Sequence, residues 1–128
     1  MKILNAMLVT AVLLLAAPAL QAETAAERGE KRLARMLGDR VAGPPVQCFE
    51  LKVPTTFTHI DGVAVVYRQA DVIYVGRLLN RIYMRDRIMG AGNRDEVCAS
   101  NGLYTANRRN FVRTGNVDIR EFVPYHRS

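Results

Sequence analysis

Two cysteines far apart in the chain constrain the fold more than any other feature of this sequence. Cys48 and Cys98 are the only cysteines among 128 residues. An even pair in an oxidising compartment predicts a disulfide. Such a bond closes a loop of about 50 residues, which the chain-entropy model credits with about 4 kcal/mol of stabilisation. Two buried free thiols are the alternative. A catalytic or metal-binding thiol is disfavoured, because neither cysteine has a nearby histidine or a second cysteine two residues away.

The first 22 residues predict that oxidising compartment. Lys2 precedes an apolar stretch, and Pro18 with several small residues follows it, which is typical of a secretory leader. Cleavage is expected after Ala22, with Ala19 as an earlier possible site. A membrane anchor is the alternative, but the apolar run is shorter than the roughly 20 residues that cross a bilayer. We therefore expect a periplasmic or secreted protein with no transmembrane span after processing.

The exported part, residues 23–128, has a length that suits a single small domain with one hydrophobic core. Losing the leader removes Lys2 alone among the charged residues, which lowers the net charge from +6 to +5. All the remaining basic residues are arginines except Lys31 and Lys52. Arginine can hold phosphate or carboxylate in a planar fork. A biased coding composition would give the same count, so the arginines indicate an anionic partner only weakly.

A helix is predicted over residues 25–37. Thr24-Ala25-Ala26-Glu27 has the form of a capping box, and Gly38 is a suitable stop. Gly29 should weaken the middle of this helix by about 1 kcal/mol. The apolar positions that share one helical face are Ala26, Leu33 and Leu37.

The chain after Gly43-Pro44-Pro45 changes character, because the two prolines break regular structure. The best supported strand pair covers residues 62–68 and 72–77, which are rich in valine, isoleucine and tyrosine around a hairpin loop at 69–71. Other short strands are expected at residues 46–52, 96–99, 103–106, 111–113 and 117–123, with interruptions at 54–56, 107–110 and 114–116. The β-rich part therefore covers about 46–125.

Residues 77–89 fit two patterns. A helix would place its apolar residues on one side and end at Gly90. A strand would point Ile82, Met84 and Ile88 inward and Arg87 outward. The missing N-cap and the strand-like surroundings favour an extended segment from about Ile82. The fold class is therefore α+β and mainly β, with one N-terminal amphipathic helix, a small antiparallel sheet or partly open barrel, and one disulfide.

A basic aromatic cluster is the one candidate binding site. Aromatic rings beside guanidinium groups can stack planar groups and hold phosphate or carboxylate. An exported protein meets little nucleic acid, so an anionic envelope polymer, lipopolysaccharide or a periplasmic protein is the expected partner. The alternative makes the two rings core residues of two strands and leaves the arginines on an exposed turn. The candidate anion-binding residues are Tyr104, Arg108, Arg109, Phe111 and Arg113.

Residues suited to catalysis are few. Only two histidines and two serines follow the leader. His59 beside Asp61 would suit a small hydrolase or lyase as an oriented base, although a loop histidine bonded to an aspartate is the commoner arrangement. No metal or cofactor is expected, because the acidic pairs are weak ligand sets and no phosphate-binding glycine motif is present. We therefore expect a non-enzymatic binding protein, with that enzyme or a purely structural envelope protein as alternatives.

Three motifs carry a resemblance. They are Arg40-Val41-Ala42-Gly43 after the helix, Asp61-Gly62 before a valine-rich strand, and Glu121-Phe122-Val123-Pro124-Tyr125 at the C-terminus. Together with the cysteine pair, they resemble a family of small uncharacterised exported proteins of Gram-negative bacteria that end in Phe-Val-Pro-Tyr. The resemblance implies export and a small disulfide-containing fold. It implies no activity, substrate or functional residue.

Overall fold

A computed structural model describes residues 22–82, 86–90, 95–100 and 102–128. The predicted leader covers residues 1–22 and lies outside this part of the chain except for Ala22. The elements within these ranges are α1 Ala25–Leu37, β1 Val41–Ala42, β2 Cys48–Glu50, β3 Thr55–Ile60, β4 Ala64–Gln69, β5 Val72–Leu78, β6 Asp86–Gly90, β7 Glu96–Cys98, β8 Leu103–Asn107, β9 Arg113–Asn116 and β10 Ile119–His126.

The strands form three antiparallel sheets. The largest has the order β1-β10-β5-β4-β3, a second has the order β6-β8-β9, and β2 pairs with β7 alone. None of these sheets closes on itself. The predicted fold class, one helix followed by a mainly antiparallel β structure, is confirmed.

Helix α1 begins and ends where its capping residues predict. Thr24 Oγ1 accepts a hydrogen bond from the Glu27 N–H at 3.1 Å, and Gly38 ends the helix with a φ of 59°. The buried face differs from the prediction, because Ala26 is exposed while Gly29 and Leu33 are buried. A Cβ atom at Gly29 would lie 2.6 Å from Val63 Cγ2, so α1 approaches the β3–β4 hairpin closely at this residue.

The five-stranded sheet has a hydrophobic core on each face, and β4 is buried between them. The core on the helix side contains Leu33, Ile60, Val63, Ala64, Val66, Ile73 and Val75. The core on the other side contains Phe49, Val65, Tyr67, Ile82, Ala99, Leu103, Val117, Ile119 and Phe122. Phe122 is fully buried and makes edge-on ring contacts with Phe49 and Tyr67 at 5.0 and 6.0 Å. Such apolar burial supplies most of the driving force for folding.

The β4–β5 hairpin is confirmed, with a tighter turn than predicted. Gln69 pairs with Val72, so the loop is Ala70-Asp71, and Ala70 has a φ of 45°. Residues 77–89 contain no helix in their described part, because β5 runs to Leu78 and β6 starts at Asp86. The expected strand onset near Ile82 falls just before residues 83–85, which lie outside the described ranges.

Two strands lie where turn residues predicted interruptions. β3 starts at Thr55, directly after Pro54. β9 contains Thr114, Gly115 and Asn116, and the strand expected at 111–113 therefore starts only at its last residue, Arg113. In both cases pairing with a neighbouring strand outweighs the local turn preference of the residues.

The buried Gln69 side chain fixes the loop that connects β2 to β3. Its Nε2 donates a hydrogen bond to the Glu50 carbonyl at 3.0 Å, and its Oε1 accepts from the Lys52 N–H at 2.5 Å. The same Oε1 accepts from Thr55 Oγ1 at 2.9 Å. Between these attachment points Val53 is 95% exposed.

The predicted disulfide between Cys48 and Cys98 is confirmed. The two residues lie opposite each other in the β2–β7 ladder, with their Cα atoms 4.1 Å apart. Phe49, the next residue of β2, stacks on Tyr74 of β5 with ring centroids 4.0 Å apart. The bond thereby joins β2 to β7, and the packing of Phe49 attaches this two-stranded sheet to the five-stranded sheet.

Candidate anion-binding surface

The turn between β8 and β9 is held by two asparagine side chains. Asn107 Oδ1 accepts from the Arg109 N–H at 2.8 Å, and Asn110 Oδ1 accepts from the Val112 N–H at 3.0 Å. The Asn107 carbonyl also accepts from the Phe111 N–H at 2.9 Å. Because the backbone groups are satisfied within the turn, the side chains of residues 108–112 are left on the outside, where all five are exposed.

Phe111 lies in this turn and not in a strand. Its side chain is 60% exposed and its φ is 59°, a left-handed conformation that a strand does not contain. The alternative in which Phe111 is a core residue is therefore wrong. The Arg87 Cζ of β6 lies 5.9 Å from the centroid of the Phe111 ring, within reach of a cation–π contact.

Tyr104 makes the corresponding contact on the neighbouring strand. It lies in β8, as predicted, and it is half-buried. The Arg113 Cζ of β9 lies 5.0 Å from the centroid of its ring. The structure thus pairs three of the predicted residues, Tyr104, Phe111 and Arg113, in ring contacts that also include Arg87, a residue that was not predicted to belong to the site.

Strand register explains why Arg87 belongs to this group. Arg87 pairs with Ala106, and Ala106 pairs with Arg113 on its other side. Neighbouring strands lie about 4.8 Å apart, which places the two arginine Cα atoms about 10 Å apart. We call the resulting side-chain set the basic aromatic surface. It consists of Arg87, Tyr104, Arg108, Arg109, Phe111 and Arg113.

The inner side of the same sheet carries a buried polar network. Thr114 Oγ1 donates to Asp86 Oδ2 at 2.9 Å and lies 2.8 Å from Thr105 Oγ1. Asp86 and Thr105 are only 3% and 5% exposed. Hydrogen bonds with a carboxylate are stronger than those between neutral groups, so this network fixes β6, β8 and β9 relative to one another. The outer side chains therefore stand on a well-held sheet.

Three of the arginines on this surface have no acidic partner within the described ranges. In the described part of the chain, the two ion pairs join Lys31 to Glu23 at 2.7 Å and Arg77 to Glu30 at 2.5 Å, both at α1. Arg87, Arg109 and Arg113 form no ion pair with any described carboxylate. Their positive charge is therefore not neutralised by the protein within these ranges.

His59 and Asp61 do not form the oriented pair that the enzyme alternative requires. His59 lies in β3 and not in a loop, it is half-buried, and its Nε2 is buried without a hydrogen-bond partner among the residues that the structure describes. Burial lowers the pKa of His59, and Asp61 raises it while Arg108 lowers it further. Asp61 is exposed in the following turn. A neutral histidine with no bonded carboxylate is not an activated general base.

A shallow groove of about 340 Å³ lies beside the disulfide and has the opposite character. It is lined by Cys48, Phe49, Glu50, Asp95 and Glu96. Glu96 Oε1 approaches Cys98 Sγ to 3.5 Å, but both sulfur atoms are bonded to each other and offer no thiolate to a metal. Its three carboxylates would repel an anion.

No family model, curated protein or solved structure matches this chain. Among its described residues, no helix is long and apolar enough to cross a bilayer. A function therefore has to be inferred from the side chains that the fold brings together.

Proposed function

We propose that this chain is an exported, non-enzymatic binding module that holds an anionic component of the bacterial envelope on its basic aromatic surface. Phosphates of lipopolysaccharide and carboxylates of a wall polymer have the chemistry to be bound there. The leader pattern of residues 1–22 and the resemblance at residues 121–125 support export. The disulfide fits an oxidising compartment.

The observation that carries this proposal is the pairing of uncompensated arginines with aromatic rings on one sheet face. Arg113 lies against Tyr104 and Arg87 against Phe111. Each guanidinium can donate two parallel hydrogen bonds to a phosphate or carboxylate, while the ring face receives the apolar side of a sugar. The spacing of about 10 Å between the two arginine Cα atoms fits two anionic groups of one extended ligand better than one small ion.

The distribution of charge over the molecule also favours anion binding at the basic aromatic surface. The net charge of +5 on the exported part favours anionic partners in general. The groove beside the disulfide is lined by carboxylates. An anion approaching the protein is therefore attracted to the arginine-bearing face and repelled from the groove.

The test compares two double variants that remove the same charge. Arg109→Ala with Arg113→Ala removes two members of the basic aromatic surface. Arg32→Ala with Arg35→Ala removes two exposed arginines of α1 as the matched control. We expect the first pair to weaken binding to immobilised lipopolysaccharide about tenfold or more, since hydrogen bonds to charged groups contribute about 1.5–3 kcal/mol each. Equal losses in both variants would show that net charge alone, and not this surface, binds the probe.

Salt dependence provides a second measurement on the unmodified protein. Binding that depends on exposed arginines should weaken steeply between 0.05 and 0.3 M salt, because the screening length is about 8 Å at physiological ionic strength. Binding that does not change over this range would contradict an electrostatic site. Polygalacturonate as a second probe distinguishes carboxylate from phosphate as the anion.

The enzyme alternative has no structural support. Because His59 donates no hydrogen bond to Asp61 in the structure, it lacks the orienting partner that a hydrolase or lyase base uses. If neither anionic probe binds, a purely structural envelope role becomes the better proposal.

A further inference from the structure

Strand β3 is an end of the five-stranded sheet that lacks the usual protection of an edge. Exposed edges are normally blunted by short length, proline, bulges or charged residues, because a free edge pairs readily with other chains. The residues of β3, Thr55–Ile60, include no proline, lysine, arginine or carboxylate. The register with β4 runs without interruption over all six residues.

The other sheet edges differ from β3 in this respect. β1 has only two residues and is followed by Pro44 and Pro45. β9 contains a register irregularity and carries Arg113, and β6 carries Arg87. Each of these three edges has at least one of the protective features that β3 lacks.

Half of the backbone groups of β3 point away from the sheet. The Leu78 N–H donates to the carbonyl of Val63, the residue before β4, at 3.0 Å. Backbone groups alternate in direction along a strand, so those of Val65 and Tyr67 also point toward β5. Ala64, Val66 and Arg68 therefore face β3, where they pair with Ile60, Thr58 and Thr56. The backbone groups that point outward belong to Thr55, Phe57 and His59, and no described residue hydrogen-bonds to them.

We propose that β3 pairs with β3 of a second copy of this chain, antiparallel and centred on Phe57, so that the two five-stranded sheets become continuous. In this register Phe57 lies opposite Phe57 of the second copy. Thr56 lies opposite Thr58 of the second copy, and Thr55 opposite His59. The pairing uses the outward backbone groups of both copies.

The second copy is favoured over another partner because the strand is complementary to itself. Aromatic pairs and threonine pairs are favourable cross-strand neighbours. No like charges meet, because the strand has no charged residue other than His59, whose pKa burial lowers. Phe57 is 41% exposed in the single chain, so pairing also covers apolar surface. A different extended peptide would need its own complementary side chains.

The dependence on salt concentration distinguishes self-association from anion binding. Two copies of the exported chain, each with a net charge of +5, repel each other, and added salt screens that repulsion. Self-association should therefore strengthen from 0.05 to 0.3 M salt, while binding to an anionic probe weakens over the same range. A variant that loses self-association should still bind the anionic probe, and a variant that loses anion binding should still self-associate, because the two surfaces share no residue.

The test uses cysteine cross-linking of the full exported chain under mild oxidation. In the proposed register the Cα atoms of Phe57 and its counterpart lie about 5.5 Å apart, within disulfide reach, whereas the Thr56 pair is about 8 Å apart and beyond it. Phe57→Cys should yield at least about tenfold more covalent dimer than the control Thr56→Cys. Equal cross-linking of the two variants would overturn the proposed register.

Sedimentation of the unmodified chain tests the association itself. The weight-average mass should rise with protein concentration, and Phe57→Lys should abolish the rise by placing two ammonium groups opposite each other. Circular dichroism verifies that this variant is folded, and Thr56→Lys serves as a second charged variant that places no like charges directly opposite. A mass that stays monomeric at every concentration and salt level would overturn the proposal, as would pairing of β3 only with a different peptide.

Discussion

The two larger sheets of this protein are built alike and used differently. Both are antiparallel, but the five-stranded sheet packs apolar side chains on both faces, whereas the outer face of the three-stranded sheet carries exposed arginines. Its outer face carries Arg87 and Arg113 on either side of Ala106. A sheet with two covered faces contributes stability, and a sheet with one open face can present side chains to a ligand.

The two sheets also differ in what holds their strands in place. Phe122 of the five-stranded sheet contacts the rings of Phe49 and Tyr67 in an apolar cluster and has no exposed surface. In the three-stranded sheet, Asp86 and Thr105 are joined through Thr114 by hydrogen bonds. Substitutions should therefore have large effects on folding in the first sheet and large effects on binding at the surface of the second.

The largest contrast is expected between two phenylalanines. Phe122→Ala should lower the free energy of unfolding by about 3–5 kcal/mol, because it removes a fully buried ring and leaves a cavity. Phe111→Ala should change it by about 0.5 kcal/mol or less, because that ring is exposed. Chemical denaturation of both variants measures the difference. Similar losses would show that the two sheets do not divide stability and surface as described.

Removal of the disulfide tests the connection between the sheets. In sequence β2 lies between β1 and β3 of the five-stranded sheet, while β7 lies between β6 and β8 of the three-stranded sheet. Cys48→Ala with Cys98→Ala should lower the free energy of unfolding by about 4 kcal/mol, since the unfolded chain loses a constraint across about 50 residues. In thermal denaturation, a reducing agent should destabilise the unmodified protein by the same amount. It should not change the stability of the double variant, which has no disulfide. A protein indifferent to reduction would show that burial alone holds β2 against β7.

The sign of the stability change in Gly29→Ala distinguishes the effect of helix propensity from that of packing against the β3–β4 hairpin. Helix propensity alone predicts a gain of about 1 kcal/mol. The added Cβ would lie 2.6 Å from Val63 Cγ2 and 3.0 Å from Ile60 Cγ2, and β-branched neighbours cannot easily move aside. We expect a net loss of about 1–3 kcal/mol, measured by denaturation. The control Ala26→Gly, at an exposed position, should show only the propensity cost, and a stabilised Gly29→Ala variant would contradict the close approach of α1 to the sheet.

The smallest expected effect is a pH dependence of stability that arises from His59. The charge of Arg108, in the turn of the three-stranded sheet, acts on this histidine. Burial lowers the pKa of His59 below its ordinary 6.5, Asp61 raises it, and Arg108 lowers it further. The unfolded chain then binds a proton that the folded chain does not, so stability falls as the pH drops from about 6.5 through the folded pKa. Denaturation from pH 7.5 to 4.5 should show this slope diminished in His59→Gln and kept in His126→Gln. An unchanged slope in His59→Gln would assign the dependence to other groups.

Local signals in the sequence were sufficient where the structure itself is local. The capping residue Thr24 and the stop at Gly38 predicted both ends of α1, and the Val-rich segments around residues 69–71 predicted the β4–β5 hairpin. The cysteine pair predicted the disulfide. These features depend on neighbours along the chain or on the chemistry of one residue type.

Features that depend on distant pairing could not be obtained in the same way. Thr55 and Gly115 carry turn preferences that are overridden by pairing with Gln69 and Thr105, residues that sequence alone does not place opposite them. Arg87 was expected to point outward if its segment formed a strand. Its place in the basic aromatic surface follows only from the register with Ala106, about 20 residues away.

The side chain of Gln69 makes the neighbouring loop a useful site for labelling. Because an amide offers both a donor and an acceptor, one residue holds Glu50, Lys52 and Thr55 in place, and the loop position does not depend on the residue at its centre. Val53 is 95% exposed there. A fluorophore attached at residue 53 should report rotation of the whole protein on binding or self-association while leaving the fold unperturbed.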